Sequence, residues 1–419
     1  MKKNIITLAI ALSGCIGLIN ADITMINQTG VGGRAYSFAN NYVALSNDIS
    51  SVYWNPAALS FLPVREFQVS TDIVRNFTTA DFYGTEEKTG VQRLRLDNIG
   101  FLTSVPTNKG GLTFAGAYQS PYIFDDNPSF SGSYTNSSNE AVQVDRNYRS
   151  YGNLNFWSGA CGLQIAQGLG IGASFSLVSG KENIRNILNR LTDGSIANDT
   201  NDDYDNSTVR DYIGYDVRLG LMYTPNSDLR FGLRLVLPQT IWFDESANET
   251  YPHSNLYEAS GSWKGELNSS YSGAIGVAYA FRFMTLSSEV RFRAPYDFVF
   301  PNEVIPDNCI AHRTNMGAGL GAEAPLWSTK MILRAGYSWD QYDPYSFVKK
   351  YDGESIDWSG NGLNVDEDRN LVTAGLAYIT SSWCIEGGYG CQFWKVNTDN
   401  ILKEEHVLHR FLLSFSFRY

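Results

Sequence analysis

The sequence predicts an all-β protein, a transmembrane antiparallel β-barrel of about fourteen strands with an N-terminal hatch folded into its lumen. The last strand, Val407 to Tyr419, places apolar side chains at alternate positions, and similar alternation recurs along the chain. In outer-membrane barrels the apolar side of each strand faces lipid, the polar side faces the lumen, and about 9 to 11 residues cross the bilayer. After the N-terminal leader the sequence has no run of about 18 apolar residues, so a helical span is not predicted.

The first residues, Met1 to Ala21, have the layout of a secretory signal peptide, with two lysines before a long apolar stretch and a small residue at its end. The run Leu12 to Cys15 also matches a lipoprotein cleavage box, an alternative that would leave a lipid on the cysteine. Apolar residues continue after that box, which favours the ordinary signal peptide. We therefore assign residues 1–21 to the leader.

The next segment, residues 22–63, is rich in small and polar residues and has no period-two alternation, so it does not predict a spanning strand. Its Tyr53, Trp54 and Phe61 favour packed structure over a disordered tail. A segment attached at the periplasmic end of a wide barrel has room to fold into the lumen. We therefore expect a hatch, or plug, over residues 22–63 and the barrel over residues 64–419.

Fourteen candidate strands carry the barrel prediction, each with period-two alternation. They are 67–82, 91–104, 111–120, 154–166, 170–179, 211–223, 229–238, 269–281, 283–293, 312–322, 330–340, 371–380, 382–394 and 407–419. Short turns and long polar segments alternate between them, as in barrels with short periplasmic turns and long external loops. A soluble sandwich or propeller would not sort its loops in this way. The predicted location is the bacterial outer membrane, whose lipid is then one partner.

Composition argues against several other classes of function. The chain has 32 basic and 43 acidic residues and a formal net charge of −11, so nucleic acid is not an expected partner. Its four histidines show no arrangement with a serine and an orienting acid, so catalysis is not predicted. Acidic runs at 201–206 and 364–368 do not match a calcium-binding loop, so we expect no metal and no other cofactor.

Three short motifs follow one another in the N-terminal segment. They are Gly33-Arg34-Ala35-Tyr36-Ser37, Asn47-Asp48-Ile49-Ser50-Ser51 and Asn55-Pro56-Ala57-Ala58-Leu59. In order and spacing they resemble the hatch of the FadL/TodX family of outer-membrane transporters for hydrophobic compounds. The resemblance implies a set of hatch residues: Gly33, Arg34, Asp48, Asn55, Pro56 and Ala57. The sequence departs from the family pattern after the first motif, where Phe38-Ala39-Asn40 replaces a glycine-containing stretch.

The resemblance implies passive uptake of long-chain fatty acids, hydrocarbons or other hydrophobic small molecules. In the family, a ligand is caught between outer loops, moves to a lumenal pocket, and leaves sideways near the third strand after the hatch shifts. Burial contributes about 0.8 kcal/mol for each methylene, so an apolar groove can capture such a chain from dilute solution. Two alternatives remain open: a secretion-system or surface scaffold that presents its external loops to protein partners, and a porin with an open polar lumen.

Apolar residues in two predicted outer loops are candidates for ligand capture. Those of the first loop are spaced i, i+3, i+4, i+7, which predicts one face of a short helix. They are Ile184, Ile187, Leu188 and Leu191. The second loop opens on Ile241, Trp242 and Phe243. The alternatives are a helix that caps the barrel mouth and an aromatic cluster at the membrane rim.

Three arginines fall on lumenal positions in mid-strand and are candidates to bind a carboxylate: Arg218, Arg234 and Arg334. The favoured alternative is that they pair with lumenal acids such as Asp216, Glu289 and Glu386. Arg34 in the first motif and Arg418 near the periplasmic rim are candidates to hold the plug to the wall.

Pro121 follows the third candidate strand directly. Because proline removes a ladder hydrogen bond, it is tolerated where strand pairing fails, which is the condition for a lateral opening in the wall. The alternative is that the strand simply ends at the membrane edge.

Overall fold

The computed structural model describes residues 27–135, 139–192, 203–250, 258–293, 296–299, 314–326, 329–342, 347–351, 356–360, 363–398 and 401–419. The leader predicted over residues 1–21 lies outside these ranges. Within them the chain forms helical elements in its N-terminal segment and strands thereafter. No helix in these ranges has the length and apolarity needed to cross a membrane.

The helical elements are α1 (Gly33–Ser37), α2 (Ser51–Trp54) and a 3-10 helix (Pro56–Phe61). The strands are β1 (Asn27–Gln28), β2 (Arg65–Phe82), β3 (Thr85–Val105), β4 (Leu112–Ile123), β5 (Phe130–Thr135), β6 (Ala141–Ala166), β7 (Leu169–Thr192), β8 (Asp203–Tyr223), β9 (Leu229–Val236), β10 (Gln239–Thr250), β11 (Glu258–Ser269), β12 (Ser272–Ala280), β13 (Thr285–Arg293), β14 (Tyr296–Val299), β15 (Asn315–Pro325), β16 (Met331–Asp340), β17 (Phe347–Tyr351), β18 (Ile356–Gly360), β19 (Leu363–Ile379), β20 (Trp383–Thr398) and β21 (Leu402–Arg418).

Antiparallel pairing closes strands β2 to β16 and β19 to β21 into a barrel of fourteen crossings, which confirms the predicted barrel, whereas β17 and β18 form a separate two-stranded sheet. Four crossings consist of two consecutive strands each: β4 with β5, β9 with β10, β11 with β12, and β13 with β14. The last strand, β21, pairs with β2 from Glu66 opposite Arg418 to Phe82 opposite Leu402. Closure leaves no free sheet edge along this seam.

Side chains alternate across the wall as the sequence predicted. On β21, Phe411 and Leu413 point outward and are more than half exposed, whereas Arg410 and Ser414 are completely buried inside. On β8, Ile213 is exposed and Asp216 is buried. This alternation gives a lipid-facing apolar surface and a polar interior.

Several strands extend beyond their predicted outer ends. A two-residue turn, Tyr83 and Gly84, joins β2 to β3, where the sequence predicted a long polar connection. Gly84 adopts a φ of 84° in this turn, a conformation that glycine reaches without strain. The prediction was wrong because a strand that rises above the bilayer meets water on its outer face. Apolar alternation then disappears although the backbone ladder continues.

The main apolar core lies inside the barrel, between the N-terminal segment and the wall. From the segment it contains Phe38, Tyr42 and Trp54, and from the wall it contains Phe124 and Phe156 among others. All of these side chains are buried. The N-terminal segment is therefore packed structure rather than a tail.

Candidate functional site

The described part of the N-terminal segment, from Asn27 onward, contacts the inward face of the wall on several sides. The backbone N–H of Gly33 donates to Ser414 Oγ at 2.9 Å on β21, and Thr373 Oγ1 on β19 donates to the carbonyl of Ser37 at 3.0 Å. On β15, Glu323 binds the Arg34 guanidinium at 2.7 Å. The contact predicted between Arg34 and the wall is therefore observed.

Asn55 anchors the third motif of the segment. Its Nδ2 donates to the carbonyls of Val43 at 2.9 Å and Leu221 at 3.2 Å, while its Oδ1 accepts from the N–H of Ala57 at 3.2 Å. Pro56 then starts the 3-10 helix, where its missing N–H costs nothing. The wall opposite carries Gly220, whose added Cβ would stand 2.2 Å from Asn55 Oδ1. A glycine is therefore required for the segment to approach so closely.

Arg418 joins the segment to the periplasmic end of the wall, and the neighbouring Asp48 forms hydrogen bonds within the segment. Asp48 Oδ1 accepts from the N–H of Ser50 at 2.9 Å, and burial raises the pKa of the Asp48 carboxyl. Arg418 pairs with Glu66 at 2.6 Å and donates to the carbonyl of Asn47 at 3.1 Å. The predicted contact between Arg418 and the N-terminal segment is observed.

Arg410 is the centre of a buried ion network that reaches the start of the segment. Its guanidinium is 2.6 Å from both Asp72 and Asp97, and Arg95 also binds Asp72. Nη1 of Arg410 donates to the carbonyl of Thr29 at 2.6 Å. The sequence placed Arg410 on the lumenal face but did not indicate these partners, which lie more than 300 residues away along the chain.

Two of the three predicted lumenal arginines pair with lumenal acids, which is the alternative that the sequence favoured. Arg218 Nε is 2.6 Å from Asp216 Oδ1, and Arg334 Nη1 is 2.8 Å from Glu386 Oε1. The third, Arg234, is only 8% exposed and its Nε and Nη1 have no hydrogen-bond partner among the described residues. Its guanidinium carbon lies 5.5 Å from the Trp54 ring.

Arg234 borders a lumenal cavity of about 70 Å³. Five arginines line this cavity against two aspartates, Asp216 and Asp340, so its lining has an excess of positive charge. The arginines are Arg218, Arg234, Arg291, Arg293 and Arg369. Amide side chains and the aromatic rings of Tyr53 and Trp54 complete much of the remaining surface. The cavity is chemically suited to an anionic group held beside an aromatic wall.

The wall is interrupted at the third crossing. β4 pairs with β3 only as far as Gln119 opposite Asn98, although β3 continues outward to Thr85 and stays paired with β2. The pairing of β4 with β6 shifts register between Gln119 and Tyr122. Beyond this point β4 remains paired with β6, and on its other edge β1 of the N-terminal segment takes the place of β3.

Pro121 lies within this interruption. Strand β4 runs on to Ile123, two residues past Pro121, so the predicted strand end at residue 120 falls short of the observed one. The carbonyl of Pro121 accepts from the N–H groups of Thr29 at 2.9 Å and Gly30 at 3.3 Å. Strand β4 thus separates from β3 but stays paired with β6, and β1 pairs with the edge that β3 leaves free.

The helix predicted for the first outer loop is wrong, since all four of its residues lie in β7. Ile184 and Leu188 point inward and are buried, whereas Ile187 and Leu191 point the other way. Spacing of i, i+4 is compatible with both periods, and the ladder to β6 and β8 determined the outcome. The four side chains therefore do not share one face.

The second predicted loop is also part of the wall, because residues 241–243 lie in β10. Ile241 and Phe243 are buried in the lumenal core, and the ring of Phe243 lies 5.8 Å from that of Tyr212. Trp242 points outward and is 43% exposed, which fits the rim alternative for this one residue.

Sequence reasoning missed the groups that hold β1. Arg369 Nη2 donates to Asn27 Oδ1 at 2.7 Å, and Arg293 donates to Gln28 Oε1. The alternation of side chains along each strand would have placed both arginines in the lumen. The sequence alone could not indicate that amides of the N-terminal segment would meet them.

Comparisons with known proteins agree with this geometry. The toluene transporter TodX of P. putida superposes with a TM-score of 0.62 at 14% identity over 94% of this chain and 99% of TodX. A Pseudomonas aeruginosa FadL homologue gives 0.63 at 13% identity over 95% and 99%. The Ralstonia pickettii toluene transporter TbuX gives 0.60 at 13% identity over 94% and 99%. A search of curated proteins finds no match.

Residues 18–279 match the family described as outer membrane protein transport protein (OMPP1/FadL/TodX). The match covers more than half of the chain, and the fourteen-strand barrel agrees with it. The protein is a multi-pass β-barrel of the bacterial outer membrane. The chain belongs to the OMPP1/FadL/TodX family of outer-membrane transport proteins.

Proposed function

We propose that this protein mediates passive uptake of long-chain fatty acids or other hydrophobic small molecules across the outer membrane. The observation that carries the proposal is the interrupted wall at β4, beside a lumen filled by the N-terminal segment. A filled lumen does not suit a general porin. A gap in strand pairing gives an apolar solute a way from the lumen into lipid without crossing the periplasmic end.

Capture would take place among the outer ends of the strands. There Phe82, Phe130, Val144 and Leu188 form a buried apolar cluster, against which Tyr134 and Leu402 pack. The cluster includes one of the four residues predicted for capture, Leu188. An apolar chain that separates these side chains exchanges protein contacts for ligand contacts, so entry costs little.

Passage would follow the inward-facing rings of the lumen. The rings of Phe124 and Tyr212 stack with centroids 5.3 Å apart, and Ile241 and Phe243 belong to the same apolar core. This region lies beside the end of β4, since Phe124 directly follows that strand. An apolar ligand here needs only displacement of β1 and of residues 120–123 to reach the gap.

The gap itself opens between lipid-facing side chains. On β3, Leu94 is 73% exposed and Leu96 is 40% exposed, and both lie beyond the point where pairing with β4 stops. An apolar solute that leaves here enters a hydrocarbon environment directly. In the proposal, movement of the N-terminal segment releases β4 and opens this route.

Family membership supports a hydrophobic substrate class, because related structures carry names such as toluene transporter and monoaromatic hydrocarbon channel. Mass spectrometry after gentle detergent extraction tests the class directly. The proposal expects a fatty acid or hydrocarbon bound in stoichiometric amount. A co-purifying protein without an apolar ligand would favour the scaffold alternative, and large steady conductance in planar bilayers would favour an open porin.

The lateral route has its own test. Deleting Ser120 together with Pro121→Ala removes the extra residue of β4 opposite β6 and restores a backbone donor. We expect the repaired wall to bind apolar ligand as before but to lose uptake into proteoliposomes. Pro225→Ala, in a periplasmic turn away from the gap, is the control. Unchanged uptake by a correctly folded repaired barrel would exclude lateral exit at β4.

A further inference from the structure

We infer that the outer face of the barrel carries a binding site for a phosphorylated lipid of the external leaflet, placed over the seam where the last strand meets the first. The site consists of an apolar groove for one acyl chain and a basic cluster, Arg75, Lys88 and His409, at the external end of the groove. The inference is independent of the proposed uptake, because the side chains that form the site face away from the lumen.

The groove has a volume of about 580 Å³ and crosses five neighbouring strands, β3, β2, β21, β20 and β19. Its floor is low at Gly387, where an added Cβ would meet no atom within 4 Å. Gly387 stands between Leu413 on β21 and Leu376 on β19, so the larger neighbours form walls beside it. The lipid-facing side chains of the groove are Ile73, Leu94, Leu376, Phe411 and Leu413.

The groove alone would hold an acyl chain without choosing among lipids. Lipid tails are as apolar as leucine, so a tail that moves from the bilayer onto this surface gains no hydrophobic free energy. What the tail gains is van der Waals contact with the groove walls, which depends on the fit of the chain. A preference for one class of lipid therefore has to come from the headgroup.

The basic cluster lies at the level where headgroups of the external leaflet are expected. On β2 the outward positions from Phe67 to Ile73 are uncharged, and Arg75 is the next outward residue. The eight residues from Phe67 to Arg75 correspond to about 27 Å of strand and, at a tilt of about 40°, to about 20 Å of height. The apolar band of such barrels is about 25 Å tall, so Arg75 stands near its external boundary.

The three basic side chains lie around Phe77. His409 stands opposite Arg75 in the pairing of β2 with β21, and its ring lies 6.0 Å from that of Phe77. Lys88 approaches from β3, and its Nζ lies 5.4 Å from the centre of the same ring. Because Arg75 follows Ile73 on the outward face of β2, the cluster adjoins the groove directly.

Arg75 and Lys88 form no ion pair with an acid among the described residues. Nε of Arg75 donates to the side-chain oxygen of Gln92, which is a neutral acceptor. Lys88 lies over an aromatic ring. Guanidinium and ammonium groups both bind phosphate, and each such charge-assisted hydrogen bond is stronger than one to a neutral oxygen. The cluster therefore favours a lipid with a phosphate headgroup.

The acids on the same outward face do not neutralise this pair. Glu405 stands at the level of Lys88 but binds Lys395 at 2.5 Å. Asp81 accepts from the N–H of Gly84 at 2.8 Å in the turn, and Glu86 stands opposite Asp81, farther from the groove than Lys88. The boundary of the apolar band therefore keeps the positive charge of the cluster.

A lipid in this site would lie across the seam that closes the barrel. Ile73 and Phe411 are direct partners in the pairing of β2 with β21. Leu94 flanks them on β3 and Tyr389 flanks them on β20. A ligand that binds only the folded state raises its stability by mass action. The bound lipid therefore stabilises closure of the first strand onto the last.

Native mass spectrometry of the folded protein in a non-ionic detergent tests the site with a matched lipid pair. Dimyristoyl phosphatidic acid and dimyristoylglycerol have the same chains and differ in the phosphate. We expect one molecule of the phosphatidic acid to bind, and the diacylglycerol to bind about ten- to a hundredfold more weakly. Arg75→Gln combined with Lys88→Gln should abolish this preference. Lys181→Gln combined with Lys264→Gln, which removes two exposed charges on other crossings, should preserve it.

Gly387→Leu tests the groove without altering charge. The new side chain occupies the open space, so the phosphatidic acid should bind about tenfold more weakly although the barrel still folds. Gly159→Leu is the matched control, because an added Cβ on that exposed position of β6 also meets no atom within 4 Å. The phosphatidic acid should raise the temperature of the heat-dependent gel shift for the control and should raise it less for Gly387→Leu.

Each contrary outcome overturns a defined part of the inference. Equal binding of the two lipids to the original protein would show that the phosphate is not recognised. Undiminished binding to a folded Gly387→Leu protein would place the lipid outside the groove. Complete displacement of the phosphatidic acid by an equal concentration of inorganic phosphate would reduce the site to a simple anion site. A dimer that excludes both lipids would make a second copy of the chain the occupant.

Discussion

Replacement of Arg410 by methionine should detach the N-terminal segment while the barrel remains closed. Arg410 is completely buried, and its guanidinium contacts Asp72, Asp97 and the carbonyls of Thr29 and Gly30. Methionine keeps an apolar stem of similar length and removes all of these bonds. The backbone ladders of β21 to β2 and β20 do not depend on this side chain.

The magnitude follows from the partners left behind. Asp72 keeps Arg95, at 2.5 Å, and so retains a charge partner. Asp97 keeps the N–H of Gly32 at 2.9 Å, so its charge is left largely uncompensated in a buried place. Breaking a buried ion pair on one side costs about 3–5 kcal/mol. The equilibrium between seated and detached segment should therefore shift by about two to four orders of magnitude.

Planar-bilayer recording measures this shift as the frequency of open events. We expect Arg410→Met to raise that frequency by at least about a hundredfold at unchanged heat-dependent gel mobility. Adding Asp97→Asn removes the stranded charge and should restore part of the closed state, which a double-mutant cycle quantifies. Two results would refute the idea that this ion network holds the segment in place. One is an Arg410→Met protein that opens no more often than the original, and the other is a double variant that opens as often as the single one.

Two further predictions concern the fit of the segment. Gly220→Val should displace the third motif and raise conductance, because its side chain would meet Asn55, whereas Gly159→Val, where an added Cβ has open space, should not. Because burial raises the pKa of Asp48, its seated form holds a proton more firmly than the detached form. The seated state is therefore favoured most below the ordinary pKa near 3.8, and it loses stability as the pH rises through the raised pKa of Asp48. Open events should be more frequent at neutral than at acidic pH, and Asp48→Asn should reduce this difference.

The barrel could be predicted because its physical cause acts on every residue of a crossing. Lipid on the outside and a polar lumen on the inside require apolar and polar side chains to alternate along a strand. The sequence alone therefore indicated which side chains of β8 and β21 face the lipid and which face the lumen. The outer ends could not be predicted in the same way. Above the membrane, β6 and β7 continue as strands whose outer faces meet water, and residues 184–191 then carry a pattern that also fits a helix.

The contacts of the N-terminal segment were predictable in kind and not in detail. The motif containing Arg34 implied that the N-terminal segment attaches to the wall. The alternation of side chains along the last strand placed Arg410 and Arg418 in the lumen. Their partners depend on how a segment without alternation folds inside a closed barrel. Ala39 and Asn40 illustrate the limit: both adopt positive φ, at 52° and 65°, where the family pattern led us to expect glycine.

Cross-strand register explains why Arg234, unlike Arg218 and Arg334, has two guanidinium nitrogens without a hydrogen-bond partner among the described residues. Arg334 stands opposite Glu323 on β15, and Arg218 has Asp216 two residues away on the same face. Arg234 stands opposite Gly220 on one side and Ala274 on the other. Neither residue can accept a hydrogen bond through its side chain, and both are too small to fill the space beside the guanidinium. The same two small neighbours therefore leave Nε and Nη1 of Arg234 without a partner among the described residues and leave room for the lumenal cavity beside them.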